Sequence, residues 1–436
     1  MKLTQKNIFL FWLPLFASWI MMTVEGPITS ATISRLPNKI EMLAAYGVVI
    51  SLSVFIESPI INLLATSTAL VKDQEAYRLG RRFTIFWIAP LTVLTFAIGF
   101  IPAVFDFVVP GILGVPADIA QWVQPGMQIM LFFTACIGWR RFHQGVLINL
   151  DQGKYIAQGT GLRLIIMIFI IIAMVAFTDL PGIHVGTISL MAGIVAEMFF
   201  ISYQTRRHVQ ELPPKSTEKP LTMNKLFWFH LPLAGTSLMI LIVQPIVSAA
   251  LARMANPTES LAAWPVVFQM LLVFRAPALS LPEVVIAKTD GVGSWLPLRT
   301  FARNMTVFML AFTAIFIFTP LSTFYFVNVQ DLDSSLVTMI QAAIPWLLLF
   351  PALWVVNAWL RGLLIRFQAT GAVNGSMAVN LVVTLIVLAA GIYTGAAGLT
   401  TASIAMVVAA AGETIFQAWR LGIVIDGGYE LLAGRV

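Results

Sequence analysis

Apolar runs of about 20 residues recur from one end of this 436-residue chain to the other. Each run is long enough to cross a hydrocarbon core of about 30 Å. The chain is 59% hydrophobic and 11% charged, with a mean hydropathy of +0.88, whereas a soluble domain has about 25% charged residues. The runs therefore predict an all-α integral membrane protein with little room for a soluble ATPase domain.

We expect twelve membrane-spanning helices. Their approximate bounds are 8–34, 43–70, 83–106, 123–145, 157–178, 184–204, 226–252, 260–287, 302–327, 336–360, 372–392 and 398–420. The first run resembles a signal peptide at its start, but it continues past Glu25, and a similar segment lies in the middle of the chain. We therefore expect it to be a membrane helix rather than a signal peptide.

Lysine and arginine residues cluster in alternate loops. They include Lys72, Arg78, Arg81, Arg82, Arg140, Arg141, Lys154, Arg206, Arg207, Lys288, Arg299, Arg361, Arg366 and Arg420. The remaining loops lack them, except for two loops around Arg35 and Arg253. Cytoplasmic loops carry the basic excess, so we predict a multi-pass protein of the cell (inner or plasma) membrane with both termini in the cytoplasm. The net charge of +6 reflects this bias and does not indicate a nucleic-acid partner.

The chain contains an internal repeat with a shift of 218 residues. Residues 13–59 match residues 231–277 at 17 of 47 positions. A polar, proline-bearing linker at 206–225 separates six predicted spans from six, so both halves enter the membrane from the same side and the repeats are parallel. We predict an N-terminal six-helix lobe at 1–205, a cytoplasmic linker at 206–225 and a C-terminal six-helix lobe at 226–436.

The two copies of the repeat differ in their charges within the membrane, and the first difference is at Glu25. This residue lies on a polar face of the first span, whereas the second copy has Val243 there, next to Gln244. A carboxylate in a medium of low dielectric constant tends to bind a proton. Glu25 is therefore a candidate proton or cation site, and Gln244 is its polar counterpart. The alternative is a glutamate hydrogen-bonded to a neighbouring helix.

The second difference is between Glu57 and Arg275, which occupy equivalent positions in the two copies. Tyr46 shares the helix face of Glu57. Ionisable residues inside a membrane span tend to face a partner or a cavity. We predict that Glu57 and Arg275 meet across a central cleft, as a gate or as part of the substrate site. The alternative is that each residue pairs within its own half.

A further basic group lies at the inner ends of three predicted spans. Arg361 follows Asn357 by one helical turn and matches Gln144 in the repeat. Together with Arg275 it would attract an anion, because a guanidinium binds carboxylate or phosphate in a bidentate manner. The alternative for such basic residues is their topological role. Secondary candidates are His143, Asn357, Glu197 and Glu413, and the two glutamates occupy the same place in the two halves, where a structural role is the alternative.

Cys136 is the only cysteine, and the four histidines show no metal-ligand spacing. We therefore expect no disulfide framework, no metal site and no cofactor. The chain has no clustered catalytic motif, and we expect a transporter rather than an enzyme.

Four segments resemble the progressive ankylosis (ANK) family. They are E-M-L-A-A-Y-G at 41–47 with Glu25 before it, P-I-V-S at 245–248, H-Q-G-V-L at 143–147 and G-E-T at 412–414. That family is similar to the MATE transporters of the multidrug/oligosaccharidyl-lipid/polysaccharide (MOP) exporter superfamily. The resemblance implies a V-shaped pair of six-helix lobes, alternating access and the export of anions such as pyrophosphate, ATP or citrate. It assigns a site role to Glu25, whereas the family pattern differs at Glu57 and Arg275.

The leading expectation is a monomeric secondary-active exporter of an organic anion or a phosphorylated metabolite. One alternative is a MATE-like cation or drug antiporter that uses Glu25 and Glu57 as proton or sodium sites. Another is a flippase for a lipid-linked saccharide. An anion site requires Arg275 and Arg361 to face the cleft, a cation site requires a carboxylate without a basic neighbour, and a flippase requires a lateral opening.

Overall fold

A computed structural model describes residues 3–214, 221–289, 292–367 and 369–433. The first half of the chain contains α1 (Gln5–Thr23), α2 (Glu25–Ile33), α3 (Lys39–Glu57), α4 (Leu63–Leu70), α5 (Gln74–Phe100), α6 (Pro102–Asp106), α7 (Ala117–Ile129), α8 (Phe133–Asn149), α9 (Lys154–Phe177) and α10 (Gly182–His208). The second half contains α11 (Met223–Leu241), α12 (Val243–Leu251), α13 (Pro257–Leu279), α14 (Leu281–Lys288), α15 (Val292–Phe318), α16 (Pro320–Phe324), α17 (Ser334–Ala343), α18 (Phe350–Arg366), α19 (Thr370–Thr394) and α20 (Gly398–Ala433). The predicted all-α fold is confirmed.

Ten helical stretches in these ranges are long and apolar enough to cross a membrane, and the chain is a multi-pass membrane protein. Ser334–Leu347 and Phe350–Arg366 are bent by 41° relative to each other, and they give an eleventh span if the pair is counted as one crossing. Two of the twelve predicted spans, at 123–145 and 336–360, are therefore not single straight helices. The span predicted at 123–145 is divided into α7 and α8 by a 3-10 turn at Met130–Phe132. Each of these helices has fewer than 18 residues, and the polar segment 140–144 lowers the hydropathy of α8.

The repeat is visible in the backbone as two equivalent helix breaks. The break between α1 and α2 falls at Val24, and the break between α11 and α12 falls at Ile242, which is 218 residues later. Pro27 and Pro245 each follow their break by three residues. A proline has no N–H, and its ring clashes with the carbonyl four residues earlier. This is why the first helix of each half ends and a second one begins.

The identical asparagines and glutamates of the repeat define the start of α3 and α13. Asn38 and Asn256 both have positive φ angles, of 56° and 51°, which asparagine tolerates better than most residues. Glu41 and Glu259 lie in the first turn of the helix that follows, where a negative charge is stabilised by the helix dipole. The residues on which the two copies agree therefore build the backbone.

The described residues form two compact units. We call Thr32–Arg253 with Pro257–Ala262 the N-unit, and Met1–Ala31, Met254–Asn256 and Ala263–Val436 the C-unit. The opening helix of each half thus groups with helices of the other half. The division predicted from the linker at 206–225 concerns the sequence repeat, and it stays a prediction.

In the C-unit, α1 is bound to the proline break between α13 and α14. Trp12 Nε1 donates a hydrogen bond to the carbonyl oxygen of Pro277 at 3.0 Å. The indole lies 6.1 Å from the ring of Phe301 on α15, and Gln5 Nε2 donates to the carbonyl of Pro297 at 2.7 Å. Contacts with α13 and α15 therefore fix α1 within this unit.

In the N-unit, α11 is bound to the break between α3 and α4 in the same way. His230 Nε2 lies 2.8 Å from the carbonyl oxygen of Pro59, and Asn62 Nδ2 donates to the carbonyl of Leu233 at 2.9 Å. His230 and Pro59 are the repeat equivalents of Trp12 and Pro277, again at a shift of 218. The same attachment is thus made once in each unit.

Candidate functional site

The predicted site residues divide between the two units. The N-unit contains Tyr46, Glu57, His143, Glu197 and Gln244, and the C-unit contains Glu25, Arg275, Asn357, Arg361 and Glu413. Each unit brings part of its set together.

A buried ion-pair cluster joins α8, α9 and α10 in the N-unit. Glu197 on α10 pairs with Arg140 on α8, and these side chains are only 0% and 3% exposed. The same carboxylate lies 3.7 Å from Arg163 on α9 and accepts a hydrogen bond from Gln144 Nε2 at 3.3 Å. Two guanidiniums thus share one carboxylate in the interior.

The equivalent cluster in the C-unit joins α18, α19 and α20. Glu413 pairs with Arg361 at 2.8 Å and accepts hydrogen bonds from Asn380 at 2.9 Å and Gln417 at 3.0 Å. Asn357 binds α20 through both its amide nitrogen and its amide oxygen. These contacts give Glu413 and Asn357 partners that hold the helices of this unit together.

The two clusters occupy repeat-related positions but differ in charge. At a shift of 217 residues the pairs are Arg140 with Asn357, Gln144 with Arg361, and Arg163 with Asn380. The N-unit therefore sets two arginines around Glu197, whereas the C-unit sets one arginine around Glu413. The C-unit has replaced two guanidiniums by neutral amides.

Glu57 is a buried carboxylate without a direct partner among the described residues. It is the last residue of α3, just before the 3-10 turn at Ser58–Ile60, and it is 8% exposed. Its Oε2 atom is buried without a hydrogen bond, and in the part of the chain that the structure describes no cation lies within ion-pair distance. The charges that act on it are those of Arg141, Arg140 and Arg163, and Arg141 has the largest effect.

Two glycines bring α8 close to the break that follows Glu57. A Cβ at Gly138 would lie 2.8 Å from Ile60 Cδ1, and a Cβ at Gly145 would overlap side-chain and backbone atoms of α4. Arg141 lies three residues after the first glycine and four before the second, so all three occupy one face of the helix. Arg141 therefore faces the segment that begins at Glu57.

Arg275 on α13 lies beside aromatic rings and a second guanidinium. Its guanidinium carbon is 4.4 Å from the ring centroid of Trp354 and 5.6 Å from that of Phe268. Arg361 is also near Trp354, at 5.9 Å, and its charge acts on Arg275. Within the described ranges, Arg275 makes no hydrogen bond and has no carboxylate at ion-pair distance. The structure thus places two like charges around one indole.

The face of α18 that carries Trp354 and Arg361 also carries Ala358. It lies four residues after Trp354 and three before Arg361, on the helix face that meets Arg275. At the shift of 217 residues Ala358 is the equivalent of Arg141. At the shift of 218 residues Arg275 is the equivalent of Glu57. At these repeat-related positions the N-unit carries a carboxylate and a guanidinium, whereas the C-unit carries a guanidinium and a methyl group. The positive charge of Arg275 is therefore uncompensated.

Glu25 is the first residue of α2 and is buried in the C-unit. The glycine after it lies against the side chain of Gln269 on α13. Further along α2, Gln330 donates to the carbonyl of Pro27 at 3.3 Å and accepts from the hydroxyl of Ser30 at 2.8 Å. The break at which Glu25 lies is thus surrounded by amide side chains that the sequence reading missed.

The remaining predicted residues are Tyr46, Gln244 and His143. Tyr46 is buried on α3, and Gln244 is the second residue of α12. His143 is buried between α5 and α8, with Nδ1 2.8 Å from the carbonyl of Trp139 and Nε2 3.3 Å from the hydroxyl of Tyr77. Its two nitrogens have structural partners. Nowhere in residues 3–214, 221–289, 292–367 and 369–433 do three His, Cys, Asp or Glu side chains form a group that could hold a metal ion.

Trp354 and the orientation of Arg141 were also missed. Trp354 precedes Ala358 by four residues and Arg361 by seven, so helical spacing alone would have placed it on their face. Arg141 has glycines three residues before it and four after it. This spacing is typical of a helix that approaches its neighbour closely, and it was a usable signal.

Solved structures similar to this chain are transporters. An inward-facing multidrug resistance MATE family transporter of the MOP superfamily aligns with a TM-score of 0.66 and 13% identity, over 94% of this chain and 96% of that one. A MOP superfamily transporter from Pyrococcus furiosus, described as having a binding pocket of reverse polarity, gives 0.63 and 13% over 97% of each chain. The lipid II flippase MurJ in an inward closed conformation gives 0.71 and 13% over 94% of this chain and 87% of that one.

No protein-family model matches the chain, and no curated protein matches its sequence. The resemblance to the progressive ankylosis family therefore stays a prediction. The alignments nonetheless cover nearly the whole chain, and they include both MATE transporters and MurJ. We conclude that the chain has the fold shared by these MATE transporters and MurJ.

Proposed function

We propose that the chain is a secondary-active transporter that exports a small organic anion, carboxylated or phosphorylated, by alternating access. The observation that carries this proposal is the uncompensated guanidinium of Arg275, with Arg361 beside it and Ala358 where a counter-ion would lie. Arg275 is partly buried, and a charge that is partly removed from water is stabilised by a partner of opposite sign. A negatively charged ligand would supply the missing partner during transport.

The surroundings of Arg275 suit an anionic ligand. A guanidinium presents parallel N–H donors that match two oxygens of a carboxylate or phosphate. The indole of Trp354, 4.4 Å away, supports the guanidinium plane, and such a cation–π contact is worth about 0.5–2 kcal/mol. Arg361 is shared between Glu413 and this indole, and it adds positive potential to the site. The anions implied by the ANK resemblance, pyrophosphate, ATP and citrate, agree with this chemistry.

The same site argues against a cationic drug as the transported species. The fold does not identify the transported species, because both a multidrug transporter and a lipid II flippase are similar to the chain. A cation at Arg275 would be repelled by two guanidiniums. Glu57 lies in the field of three arginines, and it does not meet the requirement for a carboxylate without basic neighbours. Glu25 at the break between α1 and α2 is the proposed coupling site for a proton or sodium ion.

The positive-inside bias supports a cell-membrane protein with both termini in the cytoplasm. We propose that it works as a monomer, since each repeat supplies one half of the transporter. The predicted pairing of Glu57 with Arg275 is not required by this proposal, and it stays a prediction.

Uptake into proteoliposomes tests the proposal. Labelled citrate, labelled pyrophosphate and a cationic dye would each be offered with and without a proton or sodium gradient. We expect gradient-dependent uptake of at least one of the two anions above that of protein-free liposomes. Arg275→Gln should abolish it, whereas Arg303→Gln, at an exposed position of α15, should leave it unchanged. Transport of the dye without transport of either anion would overturn the proposal.

A further inference from the structure

We propose that the N-unit holds a second ligand site, between Glu57 and Arg141, which binds a small monoanion that also carries a hydroxyl group. This site is separate from Arg275, which belongs to the C-unit. It also does not depend on which substrate the chain transports.

The first line of support is a concentration of buried polar atoms that lack hydrogen bonds. They are Glu57 Oε2, Ser58 Oγ, Arg141 Nε and Gln144 Oε1. Glu57 ends α3, and Ser58 begins the turn that follows it. Arg141 and Gln144 belong to a single turn of α8, and the glycine contacts bring α8 close to that turn. Buried polar atoms are nearly always hydrogen-bonded in proteins. Four such atoms on facing segments indicate a place for a molecule that is not part of the chain.

The second line of support is the charge balance of the N-unit interior. The guanidiniums of Arg140 and Arg163 act on both Glu57 and Arg141, and the carboxylates of Glu57 and Glu197 act on Arg141. Glu197 is already engaged by Arg140 and Arg163, whereas Arg141 makes no hydrogen bond within the described part of the chain. The guanidinium of Arg141 therefore has no ion-pair partner among the described residues. A ligand with a single negative charge, bound to Arg141, would balance its charge.

Glu57 imposes the requirement for a hydroxyl. In its ionised form Glu57 can only accept hydrogen bonds, and it repels an anion that approaches without a donor. A hydroxyl on the anion would donate to Glu57 Oε2 while the anionic group binds Arg141. A site built around such an acceptor rejects analogues that lack the donor, because the buried acceptor is then left unpaired. Glu57 would therefore act as a selectivity residue.

The C-unit lacks this arrangement. The equivalent positions there hold Arg275 and Ala358, so neither the acceptor carboxylate nor the opposing guanidinium is present in that form. The preference for a hydroxylated anion should therefore belong to the N-unit alone. This difference allows the two sites to be tested independently.

Calorimetric titration of the purified full-length chain in lipid nanodiscs with L-lactate and with propionate tests the proposal. The two acids share a carboxylate and differ by one hydroxyl. We expect lactate to bind at least about tenfold more tightly, the value of one hydrogen bond to a charged group. Arg141→Gln should weaken lactate binding by at least about tenfold, and Arg141→Lys should weaken it less. Glu57→Met should abolish the preference, so that lactate and propionate bind with equal affinity.

Two control variants separate this proposal from the transport proposal. Arg82→Gln, at an exposed position of α5, should leave lactate binding unchanged. Arg275→Gln should leave the preference for lactate over propionate unchanged, although it should abolish anion transport. Equal affinities for the two acids in the unaltered chain would overturn the proposal. So would an absence of lactate binding, since the site would then hold only water. Should Arg141→Gln fail to fold, unchanged lactate binding in Arg141→Lys would overturn the proposal.

Discussion

Trp12 Nε1 donates a hydrogen bond to the carbonyl oxygen of Pro277 over 3.0 Å. It joins the opening helix of the chain to the break between α13 and α14. His230 makes the equivalent contact to Pro59 in the N-unit, at 2.8 Å. A carbonyl can only accept, so His230 Nε2 carries a proton. In the neutral ring Nδ1 then accepts a hydrogen bond from the hydroxyl of Thr66, 2.8 Å away.

His230→Phe should lower the thermal stability of the chain. The substitution leaves the hydroxyl of Thr66 and the carbonyl of Pro59 buried without this partner, and each such group costs about 1–3 kcal/mol. Trp12→Phe removes one neutral hydrogen bond and should have a smaller effect. Unfolding temperatures in detergent would measure both, with His208→Phe as the control, because His208 is only partly buried. A loss for His230→Phe no larger than that of the control would contradict the account of this contact.

Neutralising the two repeat-related glutamates should have unequal effects. Glu197→Gln leaves Arg140, 3% exposed, beside an uncharged partner, and breaking such a buried pair costs about 3–5 kcal/mol. Glu413→Gln should cost less, because Arg361 is 22% exposed and a glutamine can still accept from Asn380. Unfolding temperatures would again be compared, with exposed Glu211→Gln as the control. Equal losses, or a larger loss for Glu413→Gln, would contradict this reading of the clusters.

The close approach of α8 to α4 predicts a strong effect of Gly145→Ala. The added methyl would overlap Ser67 and the backbone of Leu64, and overpacking of this kind costs about 1–3 kcal/mol. Gly161→Ala is the matched control, since no neighbouring atom lies within 4 Å of its Cβ position. A thermal-shift measurement should show a loss for Gly145→Ala and none for Gly161→Ala. If both variants matched the unaltered chain, the helices would not be in the contact described here.

The fold was largely predictable because length, apolarity and repetition are local properties of the sequence. Apolar runs marked the membrane helices, and Asn38 with Asn256 showed that the identical residues of the repeat serve the backbone. The attachments of Trp12 and His230 were not predictable, since each depends on which distant helix lies beside the chain. The break at Met130–Phe132 was missed for a related reason, because the surrounding residues are as apolar as those of an unbroken span.

The candidate site was predictable only in part. The reversal of charge between Glu57 and Arg275 could be read from the repeat, but their neighbours could not. Arg361 was expected to attract an anion, and the structure also gives it a carboxylate partner in Glu413. The absence of a counter-ion at Arg275 among the described residues became visible only in the structure. Burial and pairing depend on three-dimensional proximity, which neither composition nor spacing records.

The most direct test of the central claim supplies Arg275 with the counter-ion that it lacks. Ala358→Asp would place a carboxylate next to the guanidinium, whereas Ala358→Asn adds a side chain of nearly the same size without charge. Initial rates of labelled citrate and pyrophosphate uptake into proteoliposomes would be measured for both variants. We predict that Ala358→Asn retains most of the uptake, while Ala358→Asp falls to the level of Arg275→Gln. Equal uptake by the aspartate and asparagine variants would contradict the claim that the uncompensated charge of Arg275 binds the anion.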